Sequence, residues 1–308
     1  MKQDIEVAVS RAYEYLTSTE WLEFSTLRHG PSTGTDWIGG FIRRCLPDLP
    51  GFTGEAYNRF SAQASNDLDS EANWALALGR PLLGWFYSLR NLSQCQHQGL
   101  STYNLRDIQS MYQLSSEDAC GWTSPHFEVT ALALQCKWEA SPVLHDEYML
   151  WEHDDEENFR ERDREFIDVL YNSANNWILD ALRDGSDTSY WWSTDAYGWF
   201  LATDEIFPVN YRAKPFIRER LQDIDPQRNR HGEICPFSIA LNLMSWLSAM
   251  PGNEIIPPLA ELLLEMQHRD GSWRAPAILR IPEPHVITPT LVCRRVSEDR
   301  GLLSTATV

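Results

Sequence analysis

An all-α fold of two helical layers is what the sequence predicts, on three observations. Period-2 runs rich in Val, Ile and Thr are almost absent, so no segment reads as a half-buried strand. Apolar residues recur instead at three- and four-residue spacing from end to end, the mark of helices that bury one stripe. Finally, the helices are of two kinds, either charged along one face or apolar nearly all round, as an outer and an inner layer require. No low-complexity linker interrupts this pattern, so residues 1–308 read as a single domain. A chain of that length buries roughly three quarters of its unfolded surface.

The elements follow in order. The amino terminus carries Asp4 and Glu6 where a signal peptide needs an apolar run, which predicts a cytoplasmic protein. Three units then place a polar or aromatic turn before a helix of small and apolar residues: Gly30 to Phe41, Cys120 to Leu134, and Tyr190 to Ala202. Phe159, Phe166, Leu170, Ala174, Trp177 and Ile178 share one stripe of a helix whose other face, Asp154 to Glu165, is charged. That is an outer helix. Pro236 to Met250 leaves little for solvent, with Ile239, Ala240, Leu243, Met244, Trp246 and Leu247, and reads as an inner one. Pro258 suits a first helical turn, and Leu259, Leu262, Leu263 and Met266 follow at helical spacing up to Gln267.

Composition excludes several functions. Lys and Arg number 26 against 44 Asp and Glu, a formal net charge of −18, so most of the surface repels a phosphate backbone and an anionic membrane. No nucleic-acid partner is expected. No stretch reaches the roughly 18 apolar residues that cross a bilayer. The six cysteines form no CxxC pair and are expected mostly as buried thiols. His29, His97 and His231 lie in polar segments without metal-ligand spacing and are expected in solvent. Tryptophan is the outlier: 13 copies beside 11 Tyr and 12 Phe make either core filler or the wall of a π-rich cavity.

At Gln267-His268-Arg269-Asp270-Gly271-Ser272-Trp273 the chain carries a QxxDGSW segment. It resembles the QW motif of the superfamily of squalene-hopene cyclases, terpene cyclases and protein prenyltransferase β-subunits. Ala275 to Pro284, with its Leu279-Arg280-Ile281-Pro282 core, looks like the SxxLRIPxP stretch of small bacterial squalene-cyclase-like proteins. Ser32 to Phe41 and Leu303 to Val308 are similar to two further segments of theirs. The resemblance implies an α/α-toroid, inner and outer helices around one central cavity, with the last repeat incomplete at Val308. It also implies a hydrophobic isoprenoid-like small molecule as ligand, and leaves a homo-oligomer open.

Class II terpene cyclases begin with a protonated aspartic acid in a DxDD motif, which this sequence lacks. At the corresponding place stands His126-Phe127-Glu128-Val129-Thr130-Ala131. The resemblance makes Glu128 the candidate acid with His126 as its tuner, and Asp195 a second candidate; capping of a helix start is the alternative for Glu128 and His126. Trp37, Trp122, Tyr190, Trp191, Trp192, Tyr197 and Trp199 are the candidate substrate-binding rings, with plain core packing as the alternative. Asp154-Asp155-Glu156-Glu157 reads as a solvated helix face rather than a metal motif. A zinc prenyltransferase site would draw on Cys235, His285 and Glu233, yet the Asp-x-Cys expected there is missing. The sequence therefore predicts proton-initiated cyclisation of an isoprenoid or polyene, with no metal or cofactor; a non-catalytic lipid- or partner-binding protein is the alternative, and a zinc-dependent transferase the third reading.

Overall fold

A computed structural model of the chain describes residues 2–18, 99–103, 105–135, 156–203, 210–296 and 301–308. Trp37 and the whole Gly30 to Phe41 unit lie outside the described residues, as do the side chains of Phe159, Phe166 and Leu170. The described chain is mostly helical. Its elements are α1 (Lys2–Ser18), α2 (Leu105–Tyr112), a helical segment over 127–135, α3 (Glu156–Asp184), α4 (Ala196–Thr203), α5 (Asn210–Gln222), α6 (Pro236–Ala249), α7 (Ile256–Met266), the strands β1 (Leu279–Ile281) and β2 (Arg294–Val296), and α8 (Leu302–Thr307).

The antiparallel β1–β2 pair departs from an all-helical reading. Three-residue strands are too short to show a period, which is why nothing in the sequence announced them. The segment that resembles SxxLRIPxP supplies β1.

α6 starts as its sequence dictates, with Cys235 in extended conformation at the N-cap and Pro236 in the first turn, where a missing N–H costs nothing. It packs against α4, α5, α7 and α8 and buries Phe237, Ile239, Ala240, Leu241 and Trp246. Leu247, 49% exposed, is the exception on a face these helices leave open. In α3, Ala174 and Ile178 are fully buried as its stripe requires, while Trp177 is half-buried. The thiol expectation holds for Cys235 alone among the three described cysteines, since Cys120 and Cys293 are half-buried.

Residues 267–273 fasten the two ends of the chain together. Gln267 Nε2 donates to the carbonyls of Ala8, at 2.8 Å, and Gly271, at 3.1 Å. Trp273 Nε1 donates to Leu263, at 2.6 Å, and its amide to Thr305 Oγ1, at 2.9 Å. Its ring packs with Ala8 and Ala12 of α1. Gly271 has φ of 90°, and a Cβ there would run into the Arg11 carbonyl, so both conformation and space demand glycine.

Candidate active site

Residues 127–135 are all buried, and Glu128, 2% exposed, is the only ionisable side chain among them. A carboxyl in such surroundings needs hydrogen-bond donors. They come from one turn. Glu128 Oε1 accepts the Ser189 hydroxyl at 3.0 Å, the Tyr190 amide at 2.8 Å and the Trp191 amide at 2.9 Å. Oε2 is buried and takes no hydrogen bond from the described residues. Burial pushes the Glu128 carboxyl up from its ordinary value, and the amide of Trp191, its own amide, Ser189 and the amide of Tyr190 oppose that push.

His126, 4% exposed, sits just before this helix and is spoken for on both nitrogens. Nε2 donates to the Gly121 carbonyl at 2.9 Å, which leaves Nδ1 to accept the Thr102 hydroxyl at 2.7 Å. Thr102 Oγ1 in turn accepts Trp191 Nε1 at 2.6 Å. The ring stacks on Tyr190 at 3.9 Å, and burial pushes its pKa down to about 3. His126 is thus a neutral strut between the 120–122 and 189–191 turns, joined to Glu128 through Trp191 and Tyr190 rather than by a direct hydrogen bond.

Asp195 serves the same turn differently. Oδ1 accepts the Ser189 amide at 2.7 Å, and both oxygens engage Arg230, Oδ2 through Nε at 2.8 Å and Oδ1 through Nη2. Burial pushes its carboxyl up, with the Arg230 charge opposing.

Arg280 of β1, only 1% exposed, completes the arrangement. Its Nη2 donates to the carbonyls of Ser189 and Tyr190, and its amide to that of Trp191 at 2.6 Å. Sequence reasoning placed Arg280 in a family-like segment without a role. A single arginine between Leu279 and Ile281 in an otherwise apolar strand is the signal that marks it.

The candidate rings divide into two groups. Trp122 and Trp191 lie 6.0 Å apart, centroid to centroid, and Tyr103 meets them at 5.5 and 6.4 Å. Tyr190 stands edge-on to Trp191 at 5.1 Å. Trp122 Nε1 donates to the Pro282 carbonyl, and the amides of Gly121 and Trp122 to that of Pro284, so the 282–286 segment is laced to this cluster. A Cβ on Gly121 would strike the Val286 carbonyl. Trp192, by contrast, packs on Tyr197 at 4.7 Å and Phe237 at 5.2 Å. Trp199 donates to Asp187 at 2.7 Å, and Arg220 pairs with that same carboxylate. The Tyr103 ring belongs to the first group and Thr102 is tied to it through Trp191 Nε1; both were missed, because nothing about Ser101 to Tyr103 stands out in sequence.

His231 is half-buried rather than solvent-bathed, and its Nε2 is buried. Cys235, Glu233 and His285 come together in no metal-capable group; among the described residues none exists. No helix of the described chain is long and apolar enough to cross a membrane.

No protein-family model matches the chain, and no curated protein matches it. Solved structures do. A variant of the type II terpene cyclase MstE from Scytonema, in complex with its product merosterolic acid A, matches with a TM-score of 0.63 at 17% identity, over 99% of this chain and 95% of that one. The chain has a terpene-cyclase-like fold. Another variant of that enzyme, holding its substrate geranylgeranyl dihydroxybenzoate, matches with a TM-score of 0.61 at 16% identity over the same shares. A protein from Actinoplanes matches at 0.61 and 20% identity, over 98% and 96%. On this terpene-cyclase-like fold, Glu128 and the Tyr103–Trp122–Trp191 rings are drawn together by two turns and one proline-rich segment.

Proposed function

We propose that the protein is a class II-type terpene cyclase in which Glu128 donates the proton that starts cyclisation of an isoprenoid or polyene chain. The observation that carries this reading is the asymmetry of the Glu128 carboxyl. Oε1 is fixed by three donors, while burial favours the neutral form and Oε2 is left free of hydrogen bonds to carry the proton. Transfer from Oε2 to a terminal alkene carbon forms a C–H bond and leaves a tertiary cation. Neighbouring double bonds then close rings onto that cation, and loss of a proton at the end makes the reaction an isomerisation. The carboxylate left on Glu128 is stabilised by the same three donors. Rings such as Trp122, Trp191 and Tyr103 stabilise a cation over their faces by roughly 0.5–2 kcal/mol each.

Closure of the helices into an α/α-toroid belongs to the same proposal. Its support is the tie between α1 and the 267–273 segment, which joins residues near opposite ends of the chain. The second reading, a non-catalytic protein that holds a lipid-like ligand, is favoured by the replacement of the family's acidic motif with His126-Phe127-Glu128.

The test is turnover. Purified protein is incubated with geranyl, farnesyl, geranylgeranyl and squalene-type chains and with geranylgeranyl dihydroxybenzoate, with and without a chelator. A cyclised isomer detected by mass spectrometry and indifferent to the chelator is expected; every substrate recovered intact would move the assignment to the binder.

A further inference from the structure

The 189–191 turn supplies all three donors to Glu128 Oε1, and what holds the turn decides where those donors point. All six of its backbone polar groups are occupied. The amides go to Asp195 and Glu128. The carbonyls of Ser189 and Tyr190 accept Arg280 Nη2, that of Ser189 also accepts Arg230 Nη1 at 3.2 Å, and that of Trp191 accepts the Arg280 amide. Glu128 therefore grips the N–H side of the turn and Arg280 the C=O side. The grip on Arg280 is itself rigid, because the β1–β2 pair and the Trp192–Leu279 bridge fix its backbone.

We infer that Arg280 is a positioning residue for Glu128. By clamping the carbonyls of residues 189–191 it aims the amides of Tyr190 and Trp191 and the Ser189 hydroxyl at Oε1, and its buried charge supports the carboxylate that proton transfer leaves behind. The inference rests on the reading of Glu128 as the acid. Two features separate it from plain structural packing. Arg280 spends a single guanidinium nitrogen on the turn, while Nε and Nη1 are buried without hydrogen bonds among the described residues. A side chain serving only to fill space or bridge carbonyls gains nothing from an uncompensated buried charge. Moreover Asp195, a second carboxylate near Arg280 besides Glu128, is already engaged by Arg230. The other titratable groups around Arg280 and Tyr190 include Cys120, Cys293 and His231, with His126 stacked on Tyr190.

Removing Arg280 has a defined sign. Loss of the clamp loosens three hydrogen bonds that favour ionised Glu128, and loss of the charge removes a second stabiliser of that form, so Glu128 becomes a weaker acid. The experiment follows its carboxyl directly, without needing turnover: the infrared C=O stretch of protonated Glu128, assigned by its disappearance in Glu128→Gln, is titrated in wild type, Arg280→Met and Arg280→Lys. In Arg280→Met the band is expected to move to higher wavenumber and to titrate about one pH unit higher, a tenfold weaker acid. Arg280→Lys, which keeps the charge and loses the fork, is expected in between, and serves alone if the methionine variant does not fold. With any substrate that turns over, the fall of kcat at high pH should move up by the same amount while KM holds. Bands and titrations identical to wild type in both variants would overturn the inference. Failure of the underlying reading looks different: Glu128→Gln would itself retain turnover.

Discussion

Glu128 and Asp195 both accept amides of the same turn, and their different company separates the carboxyl proposed to react from one that holds structure. Asp195 has a guanidinium on both oxygens, so its charge is answered and its proton has no use. Among the described residues, Glu128 has donors on one oxygen, none on the other, and no cation in direct contact. Both feel burial push their carboxyls up, yet only Glu128 lacks a bonded cation to hold it ionised. Burial alone does not make an acid catalyst; the proposed role rests on burial without a directly bonded cation and with one oxygen free.

The largest way to break this comparison is to exchange roles. Glu128→Gln keeps an oxygen for the three donors and removes the proton, so cyclisation should fall about a thousandfold, the scale of a lost general acid, while the protein still unfolds cooperatively in denaturant. Asp195→Asn should do the opposite. It strands Arg230 and should cost about 3 kcal/mol of stability, read from urea unfolding, while the protein that remains folded keeps its cyclase activity.

The end-to-end tie sharpens the contrast between site and scaffold. Gly271→Ala places a side chain on a left-handed φ and against the Arg11 carbonyl, and should cost about 2 kcal/mol with no change in the pH profile of turnover. A shift in that profile would show that the 267–273 segment reaches the chemistry.

The smallest expected effects are those of protonation on stability. His126 has its pKa held near 3 in the fold against an ordinary 6.5, so the unfolded chain binds more protons between those values and stability falls as pH drops below about 6.5. Glu128 is raised in the fold, so the unfolded chain binds fewer protons and its contribution falls as pH rises through and above 4.5. Thermal melts should therefore show a flatter acid limb below about pH 6.5 in His126→Asn and a smaller loss of stability as pH rises above 4.5 in Glu128→Gln.

How much of this was legible in the sequence follows from the range of each interaction. Helices α6 and α7 were legible because local spacing and the prolines at their starts define them. The 267–273 segment was legible through its resemblance to the QW motif, although its ties to Ala8 and Thr305 were not. Glu128 was legible through the resemblance, because His126 to Ala131 stands where the family carries its acidic motif. What the sequence hid was long-range: Arg280 lies 90 residues from the turn it clamps, Arg230 lies 35 from Asp195, and Thr102 meets His126 across 24. The expected partnership of His126 with Glu128 became an indirect one for the same reason, since Thr102 and Gly121, not Glu128, take its nitrogens. Among the candidate rings, Trp192 and Trp199 are bound to core partners, Phe237 and Asp187, that spacing did not reveal.

The most direct measurement is product formation in D2O by wild type, Glu128→Gln and Asp195→Asn, with geranylgeranyl dihydroxybenzoate and the simpler polyprenyl chains, followed by mass spectrometry. Proton donation by Glu128 predicts a cyclised isomer carrying one deuterium from wild type and Asp195→Asn, and none from Glu128→Gln. The same deuterated product from Glu128→Gln at the wild-type rate would contradict it.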